Sequence, residues 1–184
     1  MRTSFSSLEV CAATCSFAPV ERGSIDAALI HQVMPQALRH LQALNTSSKL
    51  LLLKIYFLLG YYRAAILLTS FKRLSSPLQH YREEPQRMPA SDQQKQRAAH
   101  LGYLVAGAAR FTPWQSRCLV QVLTLQRLMA KEGIGGRFYL GVNRKSESGE
   151  LSAHAWLRCG EQIVNGAYGH EQFAVVSTFS WLER

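Results

Sequence analysis

The stretch FTPWQSRCLVQVLTLQRLMAKEGIGGRFYLGVNRKSESGELSAHAWLRC, from Phe111 to Cys159, decides the fold of this chain. It contains a cysteine at the start of a helical pattern, a glycine stop, one strand, a polar turn and a second strand with a histidine. A thiol at a helix N-terminus and an imidazole on a strand are the two groups that a cysteine hydrolase or acyl transferase needs. The stretch therefore predicts both the centre of the fold and the candidate site.

The cysteine comes at the start of a predicted helix. Apolar residues follow it at roughly helical spacing, namely Leu119, Val122, Leu123, Leu125, Leu128 and Met129. Ser116 is the predicted N-cap and Gly133 the predicted stop. Cys118 then lies in the first turn, where free backbone N–H groups and the helix dipole lower the pKa of a thiol. The alternative is a small buried apolar residue, because free cysteines are among the most buried residues.

Two strands are predicted after this helix. Residues 137–144 alternate apolar with polar or small side chains, and residues 153–159 place His154, Trp156 and Arg158 on one face. A histidine beside a tryptophan has aromatic cover that excludes water. The alternative is a structural histidine with its hydrogen bonds satisfied.

Length and composition indicate one domain with an N-terminal extension. The chain has 184 residues, of which 47% are hydrophobic and 10% aromatic, which is enough for a buried core. The four cysteines form no zinc pattern and there is no phosphate-binding glycine loop, so neither a metal nor a cofactor is predicted. The few cysteines and the lack of a clear signal peptide predict a reducing, cytoplasmic location.

A strongly apolar run, KLLLLKIYFLLGYYRAAILLTSFKRL, extends from Lys49 to Leu74. It approaches the roughly 20 residues that a membrane span needs, but Lys54 and Arg63 interrupt it on opposite sides of a helix. We predict one or two helices packed on the core with their cationic tips in solvent, preceded by a helix over residues 24–44. Peripheral contact with a membrane stays open as the alternative.

The charge of the chain limits its partners. The net charge is +9, and no acidic residue occurs between Asp26 and Glu83. Such a surface suits anionic lipid, an acidic peptide or nucleic acid. Nucleic acid is disfavoured, because no binding motif accompanies the charge and the basic residues are spread through apolar helices. A solvated basic face without a partner is the remaining alternative.

The remaining segments complete an α+β pattern. Residues 75–89 predict a Pro-rich linker, and Ser91 with Gln94 predicts a capping box that opens another helix. After the histidine strand, residues 162–166 and 173–181 predict two more strands. The predicted architecture is N-terminal helices, then a helix packed on an antiparallel sheet of about four strands.

These residues resemble the transglutaminase-like cysteine peptidase superfamily and, more narrowly, the lasso-peptide biosynthesis B proteins, which are leader peptidases. The matching segments are PWQSRCLVQVLTLQRLMAKEGI, FYLGV and AHAWLRCGEQIVNG. The resemblance covers about residues 48–184 and is strongest over 111–166. A cysteine and a histidine alone would be weak evidence, whereas these segments in this order are fairly specific.

The resemblance implies a transglutaminase/papain-like core over residues 48–184, with a nucleophile helix on a small antiparallel sheet. Residues 1–47 would be an extension holding at most part of a leader- or partner-binding segment. The implied activity is a cysteine peptidase that removes the leader from a ribosomally synthesised lasso-peptide precursor. The implied partners are the precursor and an ATP-dependent macrolactam cyclase, with leader recognition either in residues 1–47 or on a separate leader-binding protein.

The family's catalytic residues match this chain in two of three positions. Cys118 matches the nucleophile and His154 the base. The third member of the family is an aspartate on the next strand, but this chain has Asn165-Gly166 where the family often has Asn-Asp. All of its aspartates precede Cys118.

Asn165 is the predicted substitute for that aspartate. If Gly160-Glu161 is a two-residue hairpin turn, Asn165 lies opposite Trp156 and diagonal to His154 on the same face. An asparagine there can accept the imidazole N–H, as in a Cys-His-Asn arrangement. The alternative is that Asn165 only makes the turn after the strand. Glu161, in the turn, and Glu171, beyond the strand, are weaker candidates.

Gln115 and the function as a whole each have two interpretations. Gln115, three residues before Cys118, could donate to an oxyanion beside the Cys118 backbone N–H, or it could simply face solvent in a loop. The chain is either a Cys-His-Asn peptidase or a non-catalytic scaffold that binds precursor or partner enzyme after losing the aspartate.

Overall fold

The computed structural model describes residues 45–75, 78–81, 89–144 and 151–181. The helix predicted over residues 24–44 lies outside these ranges. The division into residues 1–47 and 48–184 stays a prediction, and the first described helix already begins at Thr46.

Four α-helices are described in these ranges. The apolar run forms two of them, α1 (Thr46–Leu68) and α2 (Phe71–Ser75), as predicted. The third, α3 (Asp92–Ala109), begins with the predicted capping box: the Gln94 N–H donates to the Ser91 hydroxyl, and the Ser91 N–H donates to the Gln94 side chain. The nucleophile helix is α4 (Cys118–Lys131).

The strands form one antiparallel sheet in the order β1-β5-β2-β3-β4. Their bounds are β1 Gln79–Tyr81, β2 Gly136–Arg144, β3 Leu151–Cys159, β4 Gln162–Asn165 and β5 Ala174–Trp181. A 3₁₀ helix, His170–Gln172, precedes β5. The predicted α+β class is confirmed, but the sheet has a fifth strand. This strand, β1, lies in the predicted linker and forms by pairing with β5 at the sheet edge.

The two ends of α4 differ in how well the sequence predicted them. Gly133, at φ +69°, ends the helix as predicted, and the Ile134 N–H donates to the Met129 carbonyl at 2.9 Å. The Ser116 N-cap prediction is wrong, because Arg117 holds that position without a side-chain bond. The Ser116 hydroxyl instead pairs with that of Thr112, at 2.8 Å.

The helices cover one face of the sheet. Its fully buried side chains include Phe138, Leu140, Ala155 and Leu157, which share one hydrophobic cluster with the buried residues of α3 and α4. The intervening residues of β2 and β3 point to the opposite face. The sheet therefore separates α4 from the face that carries His154.

Helix α3 fixes the position of the short edge strand β4. A Cβ atom on Gly102 of α3 would lie 2.0 Å from the Val164 carbonyl oxygen of β4, so backbone approaches backbone there. At its other end, α3 is tied to the end of α4 by a bidentate pair, with Arg97 Nε 2.7 Å and Nη2 2.8 Å from the Glu132 carboxylate. Both side chains are about one third or more exposed, so the pair contributes at most about 1 kcal/mol.

We expect two identical changes in α3 to have opposite effects on the free energy of unfolding. Gly102→Ala forces α3 away from Val164, and overpacking typically costs about 1–3 kcal/mol. Gly107→Ala meets nothing within 4 Å, and alanine is up to about 1 kcal/mol better than glycine inside a helix. Urea denaturation measures both. A Gly102→Ala protein as stable as Gly107→Ala would contradict the close α3–β4 contact.

Candidate active site

Cys118 is the first residue of α4 and is buried, with 6% of its surface exposed. It belongs to the same hydrophobic cluster as Ala153 and Ala155, the two neighbours of His154 in β3. Its sulfur is disulfide-bonded in this structure. The predicted nucleophilic role of Cys118 therefore requires this bond to be reduced, because a thiolate and not a disulfide sulfur is the nucleophile.

The loop before Cys118 is held in place by its own hydrogen bonds and by α1. The Thr112 hydroxyl lies 2.9 Å from the Ala109 carbonyl and 3.0 Å from the Trp114 carbonyl. The Trp114 ring packs on Gly60 of α1, where an added Cβ would lie 3.0 Å from it. Gln115 is exposed in this loop, a position that fits both of its predicted interpretations.

The His154 imidazole is buried among aromatic rings. It lies 5.9 Å from the Trp156 ring and 5.2 Å from the Phe173 ring, and 4% of the residue is exposed. Burial lowers the pKa of His154 below its usual value. The bond to the Gly166 carbonyl opposes this shift, and the nearby His170 adds to it. The neutral imidazole, which is the form a general base needs, is favoured.

The Gly166 carbonyl fixes the tautomer of this imidazole. The distance from His154 Nε2 to the Gly166 oxygen is 2.8 Å. A carbonyl oxygen can only accept, so Nε2 carries the proton that is donated. In the neutral ring, Nδ1 is then the basic nitrogen. The backbone of Gly166 thus does what the missing aspartate side chain would do for the tautomer.

The predicted register of the β3–β4 hairpin is wrong beyond its second pair. Cys159 faces Gln162 and Arg158 faces Ile163, as the two-residue turn requires, but a bulge follows and Asn165 lies opposite Leu157 instead of Trp156. The one-residue shift moves the Asn165 side chain to the α4 face of the sheet. There its amide donates to the Gln121 side chain of α4 at 3.3 Å.

The hairpin therefore divides two tasks between adjacent residues. Asn165 contacts α4, and the Gly166 carbonyl contacts His154. The structure does not hydrogen-bond Asn165 to His154. Its predicted catalytic role as the group that orients His154 stays a prediction. The Gln121 amide in turn donates to the Ser116 carbonyl at 2.8 Å, which ties Asn165 to the loop before Cys118.

Several neighbours of the site were not predicted from sequence. They are Gln121, Gly166, His170 and Phe173. Gln121 could have been found, because it follows Cys118 by three positions and shares its helix face. The two glutamates considered earlier lie elsewhere: Glu161 is in the hairpin turn, and Glu171 pairs with His170. Among the described residues, no group of three His, Cys, Asp or Glu could hold a metal ion.

The chain matches the family model described as the transglutaminase-like superfamily over residues 58–178. This match covers more than half of the 184 residues. The chain belongs to the transglutaminase-like superfamily. No curated protein and no solved structure matched it. This superfamily typically includes cysteine peptidases. In this chain, Cys118 begins a helix that packs on an antiparallel sheet.

We expect His154 to titrate below its usual pKa of about 6.5, because burial opposes its charged form. Its contribution to stability is then constant above pH about 6.5 and declines as the pH falls, since the unfolded chain binds the proton first. NMR titration of the imidazole measures the pKa, and unfolding at several pH values measures the slope. His154→Gln should flatten that slope. A pKa at or above that of an exposed histidine would contradict the buried environment.

Proposed function

We propose that this transglutaminase-like protein is a cysteine peptidase with Cys118 as nucleophile and His154 as general base. The observation that carries the proposal is the hydrogen bond from His154 Nε2 to the Gly166 carbonyl. It leaves Nδ1 unprotonated in a ring that burial keeps neutral. The position of Cys118 at the start of α4 supports it, because the N-terminus of a helix stabilises a thiolate.

The reaction follows from these roles. The mechanism requires the reduced Cys118 thiol to reach Nδ1 of His154, which lies on the sheet face opposite the hydrophobic cluster that contains Cys118. There Nδ1 would take the thiol proton and the sulfur would attack the peptide carbonyl carbon. The C–N bond then breaks, the imidazolium gives its proton to the leaving amine, and a thioester remains. Water, deprotonated by the same imidazole, hydrolyses the thioester and frees the thiol.

When the sulfur attacks, the substrate carbonyl oxygen becomes negatively charged, and hydrogen-bond donors at the start of α4 would stabilise it. The first-turn N–H groups of a helix point along its axis and have no partner within the helix. We propose the Cys118 backbone N–H, with the exposed Gln115 side chain as a second donor from the preceding loop.

The neutral orienting group has a consequence for the rate. A carbonyl fixes the tautomer, but it stabilises an imidazolium less than a carboxylate would. Neutralising a triad aspartate lowers the rate by about 10⁴-fold, in large part because the tautomer is then wrong. Because this carbonyl preserves the tautomer, we expect the cleavage rate to be less than about 10⁴-fold below that of an enzyme with the aspartate.

The proposed substrate is the leader–core junction of a lasso-peptide precursor. Its support is the sequence resemblance of residues 111–166 to the lasso B proteins, within the superfamily match over residues 58–178. On this proposal, a separate ATP-dependent cyclase closes the freed core, and a separate leader-binding protein presents the precursor.

A second candidate function, a non-catalytic scaffold that binds the precursor or a partner enzyme, is favoured by two observations. His154 lies on the sheet face opposite α4, and a glycine follows Asn165 where the family has its aspartate. Binding without turnover needs neither the thiol nor the imidazole. Substitution at Cys118 separates the two functions.

We expect Cys118→Ala to abolish cleavage of a synthetic leader–core peptide in the presence of thiol reductant. Cys159→Ala is the control: Cys159 is free and buried in the core, and burial raises its pKa, so its loss should leave most of the activity. Wild-type activity should depend on reductant because Cys118 is disulfide-bonded. Mass spectrometry of the products measures cleavage. Equal cleavage by wild type and Cys118→Ala would exclude the thiol mechanism, and peptide binding without cleavage by wild type would favour the scaffold.

We expect Gly166→Ala to slow cleavage by at least about tenfold relative to Gly169→Ala. The effect should stay below the roughly 10⁴-fold seen when a triad aspartate is neutralised, because only an orienting contact is lost. Both glycines have positive φ, +74° and +70°, so both changes carry similar backbone strain. An added Cβ lies 2.5 Å from the Ala155 oxygen at Gly166, whereas at Gly169 it meets a single side-chain atom, at 4.0 Å. Only the first change therefore displaces the carbonyl.

The His154 tautomer provides a readout independent of turnover. Nitrogen chemical shifts should show an Nε2-protonated ring in wild type and in Gly169→Ala, and a mixture in Gly166→Ala. An unchanged tautomer together with unchanged cleavage in Gly166→Ala would refute the role of the carbonyl. Gly166→Asp meets the same backbone clash and should not raise the rate.

A further inference from the structure

A row of large apolar side chains on α1 is exposed to solvent. Its members are between 52% and 82% exposed: Leu50, Leu53, Phe57, Tyr61, Leu67 and Leu68. Among the described residues, α1 is the one helix long and apolar enough to cross a membrane, with a mean hydropathy of 1.6, and 11% of that window is buried. A helix this apolar and this little buried calls for a surface to cover it.

Four of these six side chains form a straight stripe. At about 100° per residue, Leu50, Phe57, Tyr61 and Leu68 lie within about 20° of one line along the helix. The stripe is about 27 Å long, from the rise of about 1.5 Å per residue. Such regular placement distinguishes this face from isolated exposed apolar residues, which are common on any protein.

The opposite face of α1 holds it to the domain. Ile55 and Leu59 are 0% exposed and belong to the hydrophobic core, and they lie about 140–180° from the stripe. Crossing a bilayer would require these residues to leave the core. The geometry therefore suits a helix that lies along a surface with one face buried.

The charges around the stripe select the kind of surface. Helix α1 contains three cationic residues and no acidic one, and Lys54, about 40° around the helix from the stripe, is exposed. Lys54 interacts electrostatically with Glu132, and that carboxylate forms its ion pair with Arg97. Two copies meeting through this face would bring like charges together without a compensating acid on α1. An anionic lipid surface instead compensates them.

We propose that α1 lies in the surface of an anionic bilayer, with the stripe in the acyl boundary and the adjacent Lys54 at the headgroups. A helix of this kind is buried about 5–10 Å deep and binds reversibly. The proposal does not depend on the peptidase proposal, because it uses neither Cys118 nor His154.

Vesicle flotation with the full-length protein tests this. The vesicles are either phosphatidylcholine alone or equal parts of phosphatidylcholine and phosphatidylglycerol. We expect binding to the anionic vesicles that weakens as salt rises, since exposed charges are screened beyond about 8 Å at physiological ionic strength. The double variant Leu50→Ser, Phe57→Ser should lower the partition coefficient at least about tenfold, because it removes two large apolar side chains from the face that would be buried in the bilayer.

Tyr103→Ser is the matched control, because Tyr103 is 77% exposed on α3, away from the stripe. It should bind anionic vesicles like wild type. Equal binding by wild type and the Leu50→Ser, Phe57→Ser variant would overturn the proposal. So would a stripe-dependent dimer, seen by sedimentation without vesicle binding, since the second copy would then be the occupant. Leader peptide cleavage by the stripe variant should equal that of wild type, which separates this result from the peptidase proposal.

Discussion

The close contact of Gly166 with the backbone of β3 is the constraint on which the candidate site depends. Gly166 has a φ of +74°, and an added Cβ would lie 2.5 Å from the Ala155 oxygen, so both conformation and space restrict this position to glycine. The approach follows the bulge after the Arg158–Ile163 pair. It brings the Gly166 carbonyl to His154 and turns Asn165 toward α4. One irregularity in a short edge strand thus links the imidazole to the nucleophile helix.

This arrangement also explains how a site without the aspartate can remain chemically useful. His154 is buried among aromatic rings, where an additional carboxylate would itself need charged or hydrogen-bonded partners. The Gly166 carbonyl satisfies Nε2 without adding a buried charge. The imidazole then stays neutral, with a lowered pKa, and can act as a base instead of forming a resting ion pair with a thiolate. For the peptidase function proposed above, the physical expectation is a slower enzyme with a simpler electrostatic environment.

The sequence predicted what local pattern and capping chemistry determine. The capping box at Ser91 and the glycine stop at Gly133 appear as expected, because each depends on residues within one turn of the helix end. The three residues of β1 could not be predicted, since they form a strand only by pairing with β5, nearly a hundred positions away. The hairpin register failed for the same reason: Gly102 of α3 and the bulge set the position of β4, and the turn alone does not show them.

Helix α1 connects the exposed stripe to the candidate site through ordinary packing. Trp114, four residues before Cys118, rests on Gly60 and lies 5.1 Å from the Tyr56 ring on the flank of α1. Phe111, three residues before Trp114 in the chain, is 77% exposed. The loop that leads to the nucleophile is therefore attached to the same helix that carries the stripe, and a side chain larger than glycine at position 60 would have to displace the indole. A surface that holds α1 would fix the orientation of this loop relative to that surface, so that a peptide arriving along a bilayer meets the start of α4 from one defined side.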